Sequence, residues 1–203
     1  MDIALVLGII LAHMLGYTFY VRGMVKNKIT PNTTTWSLFV FSVILDIPTY
    51  FNGVETEALI KSVLPVVDCV GVLVVWTVAF RCGKFERPDQ WDTLVAVCQT
   101  LTIIIWKIAG AMNANLMLQV ATMIAFIPVV RGVYTGKEVE RPMPWMFMSI
   151  AYGLEAVIVY VHPHHGWKEY AYPLVCFVCH FVVGVLALRA LDQKEGVEVV
   201  LLK

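Results

Sequence analysis

Three carboxylic acids stand in stretches that are otherwise apolar: Asp46 within residues 34–52, Asp68 within 58–80 and Glu155 within 144–161. An aspartate turned toward lipid at the middle of a membrane helix costs roughly 2.5–3.5 kcal/mol, so these groups belong against a cavity or a partner. His13, Ser42, Gln119, Thr122 and Cys176 interrupt similar stretches. Residues of these types, held together away from lipid, can bind a cation or an amine and can take up a proton. Three acids near one axis could not all be ionised in a low-dielectric space. Some must be protonated, paired with a cation or open to water. Structural pairing of the acids with His13, Lys107 or Arg22 is the plainer alternative.

Other candidates carry less. His162, His164 and His165 form a cluster without an acid or cysteine close by, which reads as a solvated loop rather than a metal site. Cys176-Phe177-Val178-Cys179-His180 matches the spacing of a c-type haem attachment. It lies in mid-helix, where neighbouring positions point about 100° apart and cannot converge. No cofactor, no metal and no enzymatic activity is expected. A retinal-type receptor would need a lysine deep in the last helix, and none is there; Lys107 lies near the end of the fourth apolar run, where it can snorkel to the headgroups.

The elements that must position these groups follow from composition. Of 203 residues, 59% are hydrophobic and 15% charged, with a mean hydropathy of +0.75. This is a membrane chain. A helix needs about 20 mostly apolar residues to cross a bilayer, and seven runs qualify: 2–21, 34–52, 58–80, 91–109, 112–130, 144–161 and 169–190. The first lacks the basic start and small-residue cleavage site of a signal peptide, so it is expected to stay as a helix. With the helix ends on alternate sides, twelve lysines and arginines fall on the side of the loops after runs 1, 3 and 5 and three on the other. The positive-inside rule then places the amino terminus outside and the carboxyl terminus in the cytoplasm of an integral protein of the plasma (inner) membrane. No basic run is dense enough for nucleic acid, and five cysteines mostly inside apolar runs do not suggest disulfides.

One stretch occurs twice. Residues 21–36 read VRGMVKNKITPNTTTW and residues 130–145 read VRGVYTGKEVERPMPW, with five of sixteen positions identical at a constant offset of 109. The same offset pairs Ala12 with Ala121, His13 with Thr122, Met14 with Met123, Leu45 with Leu154 and Asp46 with Glu155. Internal similarity of this kind points to a duplicated unit. The expected organisation is an all-α, seven-helix membrane protein. A first three-helix repeat covers 1–82, a loop and linker helix 83–110, a second repeat 111–191 and a cytoplasmic tail 192–203. An odd helix between the units keeps both in the same orientation. Pro48, Pro65, Pro128 and Pro173 are candidate hinges.

Two parallel three-helix units around a linker helix resemble the SWEET transporters of the PQ-loop superfamily. Phe126-Ile127-Pro128-Val129-Val130-Arg131 is similar to the proline-led end of that family's first and fifth helices, with Val129 in place of glutamine; the first copy has Phe19 where the proline would be. Phe41-Ser42 matches a Phe-Ser pair on the second helix, and Asp46 replaces the tryptophan that follows it. Glu155 replaces the second such tryptophan, Asp68-Cys69-Val70-Gly71 fits Asn-x-x-Gly, and Cys176 falls where asparagine lies on helix 7. The resemblance implies a substrate site formed by these positions, and acids in place of sugar-stacking rings imply a cationic or amine-bearing solute. The expectation is a secondary transporter moving a small polar solute by alternating access, with a proton link and a homo-oligomer both compatible. The alternatives are a SWEET-like sugar uniporter and a seven-helix receptor that binds without transport.

Overall fold

A computed structural model describes residues 2–53, 63–82, 87–162 and 166–201. Among these residues the chain is built from helices α1 (Asp2–Val25), α2 (Thr33–Gly53), α3 (Val63–Cys82), α4 (Gln90–Ala109), α5 (Ala111–Tyr134), α6 (Pro142–Val161) and α7 (Ala171–Leu201), with a short 3-10 turn at Gly166–Tyr170 before α7. All seven are long and apolar enough to cross a membrane. The start of the third run (residues 58–62), the polar residues 83–86 and the histidine-loop residues 163–165 lie outside the described residues. His162 is described, and its Nε2 lies 3.2 Å from Asp2 Oδ2.

Where each helix starts has a local cause. Asn32 Oδ1 accepts from the Thr34 and Thr35 N–H groups at 3.0 and 3.3 Å, satisfying donors that the first turn of α2 leaves open. α4 begins with a reciprocal capping box: the Asp89 carboxylate accepts from the Trp91 and Asp92 N–H groups, and Asp92 accepts from the Asp89 N–H. α6 carries Pro142 at its first position, where a missing N–H removes nothing. The final helix runs on past its apolar stretch. It continues to Leu201 instead of ending with the apolar run near residue 190, so the polar tail is helical over most of its length.

The packing order is simple. α3 packs against α1 and α2, α7 packs against α5 and α6, and the two sets meet through α1 on α6 and α2 on α5; α4 lies mainly on α5 and touches α2 more lightly. Exchanging α1, α2, α3 for α5, α6, α7 maps each of the main interfaces among these six helices onto another. Gly16 allows the closest approach of α1 to α6: a Cβ there would lie 2.9 Å from Met148 Cγ and 3.1 Å from the Pro144 carbonyl. The polarity is reversed relative to a water-soluble bundle. Leu7, Leu11 and Met14 on α1 and Leu94, Val97, Leu101 and Ile108 on α4 are exposed, whereas His13, Asp46, Asp68, Gln99, Asn115, Gln119, Glu155 and His180 are buried. Apolar surface outside and hydrogen-bonding groups inside is the arrangement a hydrocarbon solvent selects.

Candidate functional site

A cavity of about 40 Å³ opens where the two sets of helices face each other. That is room for a few waters. Its wall carries Tyr17, Trp36, Phe39, Phe126, Trp145, Tyr152 and Tyr172, two carboxyl groups (Asp46 and Asp68), and Ser42, Thr122, Cys176 and His180. No lysine or arginine lines it among the described residues.

On one side the wall is built from α2 and α5. Asp46 Oδ1 accepts from Asn115 Nδ2 at 2.9 Å and Gln119 Nε2 at 3.0 Å. Positions 115 and 119 are one turn apart, so both amides come from one face of α5. Asn115 Nδ2 also reaches Thr49 Oγ1 at 3.3 Å, and Thr49 itself donates to the Leu45 carbonyl at 2.7 Å. Ser42, one turn before Asp46, accepts from Gln99 Nε2 at 2.8 Å, and the same nitrogen donates to the Leu38 carbonyl at 2.9 Å. α4 is thereby tied to the cavity helix through a single buried amide. The arrangement presents a carboxyl group oriented by neutral donors, with no lysine or arginine on the same wall among the described residues.

The other side is built from α3, α1 and α7. Tyr17 donates to Asp68 Oδ1 and Tyr172 donates to Asp68 Oδ2. His13 lies a turn before Tyr17, stacked on it at 5.4 Å, with its Nε2 3.7 Å from Asp68 Oδ1. Gly71, one turn after Asp68, makes this packing possible, because any Cβ there would fall inside the Tyr17 ring. His180 Nδ1 lies 2.7 Å from the Cys176 carbonyl. A carbonyl only accepts, so Nδ1 carries the proton and Nε2 is left as the basic nitrogen. Phe126, Trp145 and Tyr152 surround that imidazole with ring centroids at 4.9, 5.5 and 4.9 Å.

At the end of the bundle that carries the two repeated turns, rings close the cavity. Trp36 and Trp145 flank Tyr20 with centroids at 5.0 and 5.7 Å. Behind them is a second, smaller space of about 10 Å³ lined by Tyr20, Asn32, Thr35, Trp36, Val129, Glu138, Glu140 and Trp145. The Glu140 carboxyl accepts from the Tyr20 hydroxyl at 2.8 Å and from Trp145 Nε1 at 2.9 Å, and Trp36 Nε1 donates to the Tyr20 oxygen at 3.3 Å. Glu140 lies between α5 and α6 and is buried. Burial outweighs the two hydrogen bonds and pushes its carboxyl up to about 8.

The candidates from sequence are thus distributed unevenly. Asp46, Asp68, Ser42, Thr122 and Cys176 line one cavity; Gln119 and His13 stand behind it, touching Asp46 and approaching Asp68. Glu155 is buried on α6 but is not on the cavity wall. It follows Tyr152 by one turn and lies near Tyr50, at a level where Tyr152, Tyr172 and Tyr50 pack ring against ring. Pro48 and Pro128 interrupt helix interiors. Pro173 is in the first turn of α7, where its missing N–H removes no helical bond, and Pro65 is the third described residue of α3. Sequence reasoning misses Asn115 as the partner of Asp46, and the ring-rich wall. His180 enters it only as part of a haem pattern, although a histidine in an apolar helix carries the same signal as His13. Glu140 is masked by its basic loop; the clue is an acid standing where the first copy has Pro31.

Among the described residues no group of three or more histidine, cysteine, aspartate or glutamate side chains is placed to hold a metal ion. Cys176 and Cys179 are free thiols. No family model matches the sequence, and neither curated proteins nor solved structures give a match.

Proposed function

We propose that this chain is a secondary transporter for a small amine-bearing or cationic solute, working by alternating access between two three-helix units, residues 1–82 and 111–191. The observation that carries the reading is the pairing of Asp46 and Asp68 with seven aromatic rings on one internal wall that holds no lysine or arginine. Carboxylates and π-faces together favour a cation. The exchange symmetry of the main interfaces supports two units that can rock against each other, with Pro48 and Pro128 as interior points where α2 and α5 can bend. A cavity of about 40 Å³ is too small for such a solute, so the conformation described is a closed one and binding requires the units to part.

The ring-rich wall also suits the sugar-uniporter reading, since rings of this kind stack on sugar faces. The acids separate the two: a sugar carrier has no need of Asp46, whereas a carrier for amines depends on it. A thermal-shift screen of amines, amino acids, vitamins and sugars across pH selects the solute, and counterflow of that labelled compound into proteoliposomes tests transport. Asp46→Asn is expected to abolish exchange while leaving the protein folded. Full exchange of an amine in that variant would remove Asp46 from the mechanism. Binding without any counterflow in the wild type would favour a receptor.

A further inference from the structure

We infer that Glu140 is a proton-binding site built into a gate, its carboxyl protonated while Tyr20, Trp36 and Trp145 are closed over the central cavity and giving its proton to water when they part. Trp36 and Trp145 belong to the walls of both spaces, the central cavity and the smaller one behind it. They therefore form the partition between the site and the turn-bearing end of the bundle. Glu140 holds that partition through two of its members: it accepts from Trp145 on α6 and from Tyr20 on α1, and Tyr20 in turn accepts from Trp36 on α2. One carboxyl group thus fastens rings from three helices, two from one half of the chain and one from the other.

The groups around the carboxyl favour a proton on it. From α1 comes the neutral Tyr20 hydroxyl and from α6 the neutral Trp145 indole. α2 contributes Trp36 through Tyr20, and α5 contributes the Val129 side of the small space. On its own segment Glu138 adds charge of the same sign, and the Arg141 backbone N–H donates. Among the described residues no lysine, arginine or histidine pairs with Glu140. A carboxylate here loses its water without gaining a cation, and the closed gate accordingly holds the group near a pKa of about 8 against an ordinary 4.5.

The sign of the coupling follows. A carboxyl whose value is raised in the closed form stabilises that form fully below about pH 4.5, and the stabilisation is lost as pH rises through about 8. Within this window each pH unit shifts the ratio of open to closed gate by up to about tenfold toward open. Opening at this end releases a proton on that side and closing takes one up. The transport reading supplies the use of such a gate, but the gate itself is testable without any solute.

The experiment uses the full chain in lipid nanodiscs with no solute added. Infrared spectra recorded between pH 5 and pH 10 should show, in the difference between wild type and Glu140→Gln, a protonated-carboxyl component that disappears near pH 8. In parallel, Thr35→Cys places a thiol in the small space, and residue-specific mass spectrometry reads its labelling by a hydrophilic maleimide. Divided at each pH by the rate for an exposed reference thiol, which removes the titration of the thiol itself, labelling should rise as pH rises toward 8, by up to about tenfold per unit, and should stay low and flat when Glu140→Gln is added. Tyr20→Phe, which removes a donor to the carboxylate, should move the labelling midpoint to higher pH. That variant keeps the inference falsifiable if Glu140→Gln fails to fold. A flat profile in the Thr35→Cys background, the same rise with Glu140→Gln, or an unmoved midpoint with Tyr20→Phe would each overturn it. A pH-dependent gate in a protein that exchanges no solute would sink the transport reading and leave this one standing.

Discussion

The turn after α1 and the turn after α5 fold alike and do different chemistry. In each, backbone hydrogen bonds run to the same carbonyls at the 109-residue offset: Lys26 N–H to Arg22 and Thr135 N–H to Arg131, Asn27 to Met24 and Gly136 to Val133, Ile29 to Gly23 and Glu138 to Gly132. The residues with positive φ are Asn27 (53°) and Gly136 (73°), again at the same register. The two turns even meet at equivalent positions. Thr30 N–H donates to the Val139 carbonyl at 3.1 Å, and Val139 N–H donates to Thr30 Oγ1 at 3.3 Å. One residue further on they part: Pro31 in the first turn, Glu140 in the second. The backbone pattern of a helix ending in a left-handed residue survives on a few small or amide side chains, and the positions beside it are then free to acquire a role.

The strongest way to break the comparison is to remove the paired tryptophans one at a time. Trp145 and Trp36 are register mates, both buried, and a buried aromatic truncated to alanine costs about 3–5 kcal/mol. Both border cavities, which lessens the lost packing. Trp145 also donates to a buried carboxyl group, and Trp36 donates to a hydroxyl that has another partner. Trp145→Ala should therefore lower stability more than Trp36→Ala, by about 0.5–1.5 kcal/mol, the worth of one donor to a buried carboxyl group that keeps Tyr20. Reversible unfolding in bicelles measures both. Equal losses would mean that Glu140 does not distinguish the two turns.

How far the sequence can be read depends on whether a feature is local. Seven spans are legible because length and hydropathy are properties of single segments. The acids are legible as misfits in lipid. Their partners are not. That Asn115 and Gln119 both reach Asp46 depends on the rotation of α5 about its own axis, which hydropathy leaves open when a helix is apolar on nearly every face. Register equality also misleads in one place: Asp46 and Glu155 share the offset, yet Asp46 is on the cavity and Glu155 is not. The counterparts of Asn115 and Gln119 on α1 are Val6 and Ile10, so the register positions that hold the two amides in one half hold apolar residues in the other. Continuation of α7 past residue 190 is hidden because polar residues can form a helix as well as a tail.

A smaller difference separates the two glycines that begin the turns. A Cβ on Gly23 would collide with Ile29 Cδ1, and a Cβ on Gly132 would fall 2.6 Å from the Glu138 carboxyl carbon. Ile29 is fixed in the core at 2% exposure, whereas Glu138 is only partly buried. Overpacking against a fixed side chain costs about 1–3 kcal/mol. Gly23→Ala should fall in that range and Gly132→Ala should fall below it, read from the same unfolding curves. The reverse order would show that Glu138 is held more tightly than Ile29.

The finest test concerns the left-handed residues themselves. A Cβ on Gly136 would have nothing within 4 Å of it, so a side chain there meets no clash and any loss must come from the backbone. Holding an ordinary L-residue at positive φ costs roughly 1–2 kcal/mol, and Gly136→Ala should lose about that much. Asparagine tolerates the same conformation better than other non-glycine residues, so Gly136→Asn, which installs the first turn's own residue in the second, should lose less than Gly136→Ala. In the other direction Asn27→Gly relieves the strain but adds freedom to the unfolded chain, and the two nearly cancel. Its effect should stay within about 0.5 kcal/mol. If Gly136→Ala proves as neutral as Asn27→Gly, the second turn is not held in the left-handed form, and the shared backbone pattern would belong to the first turn alone.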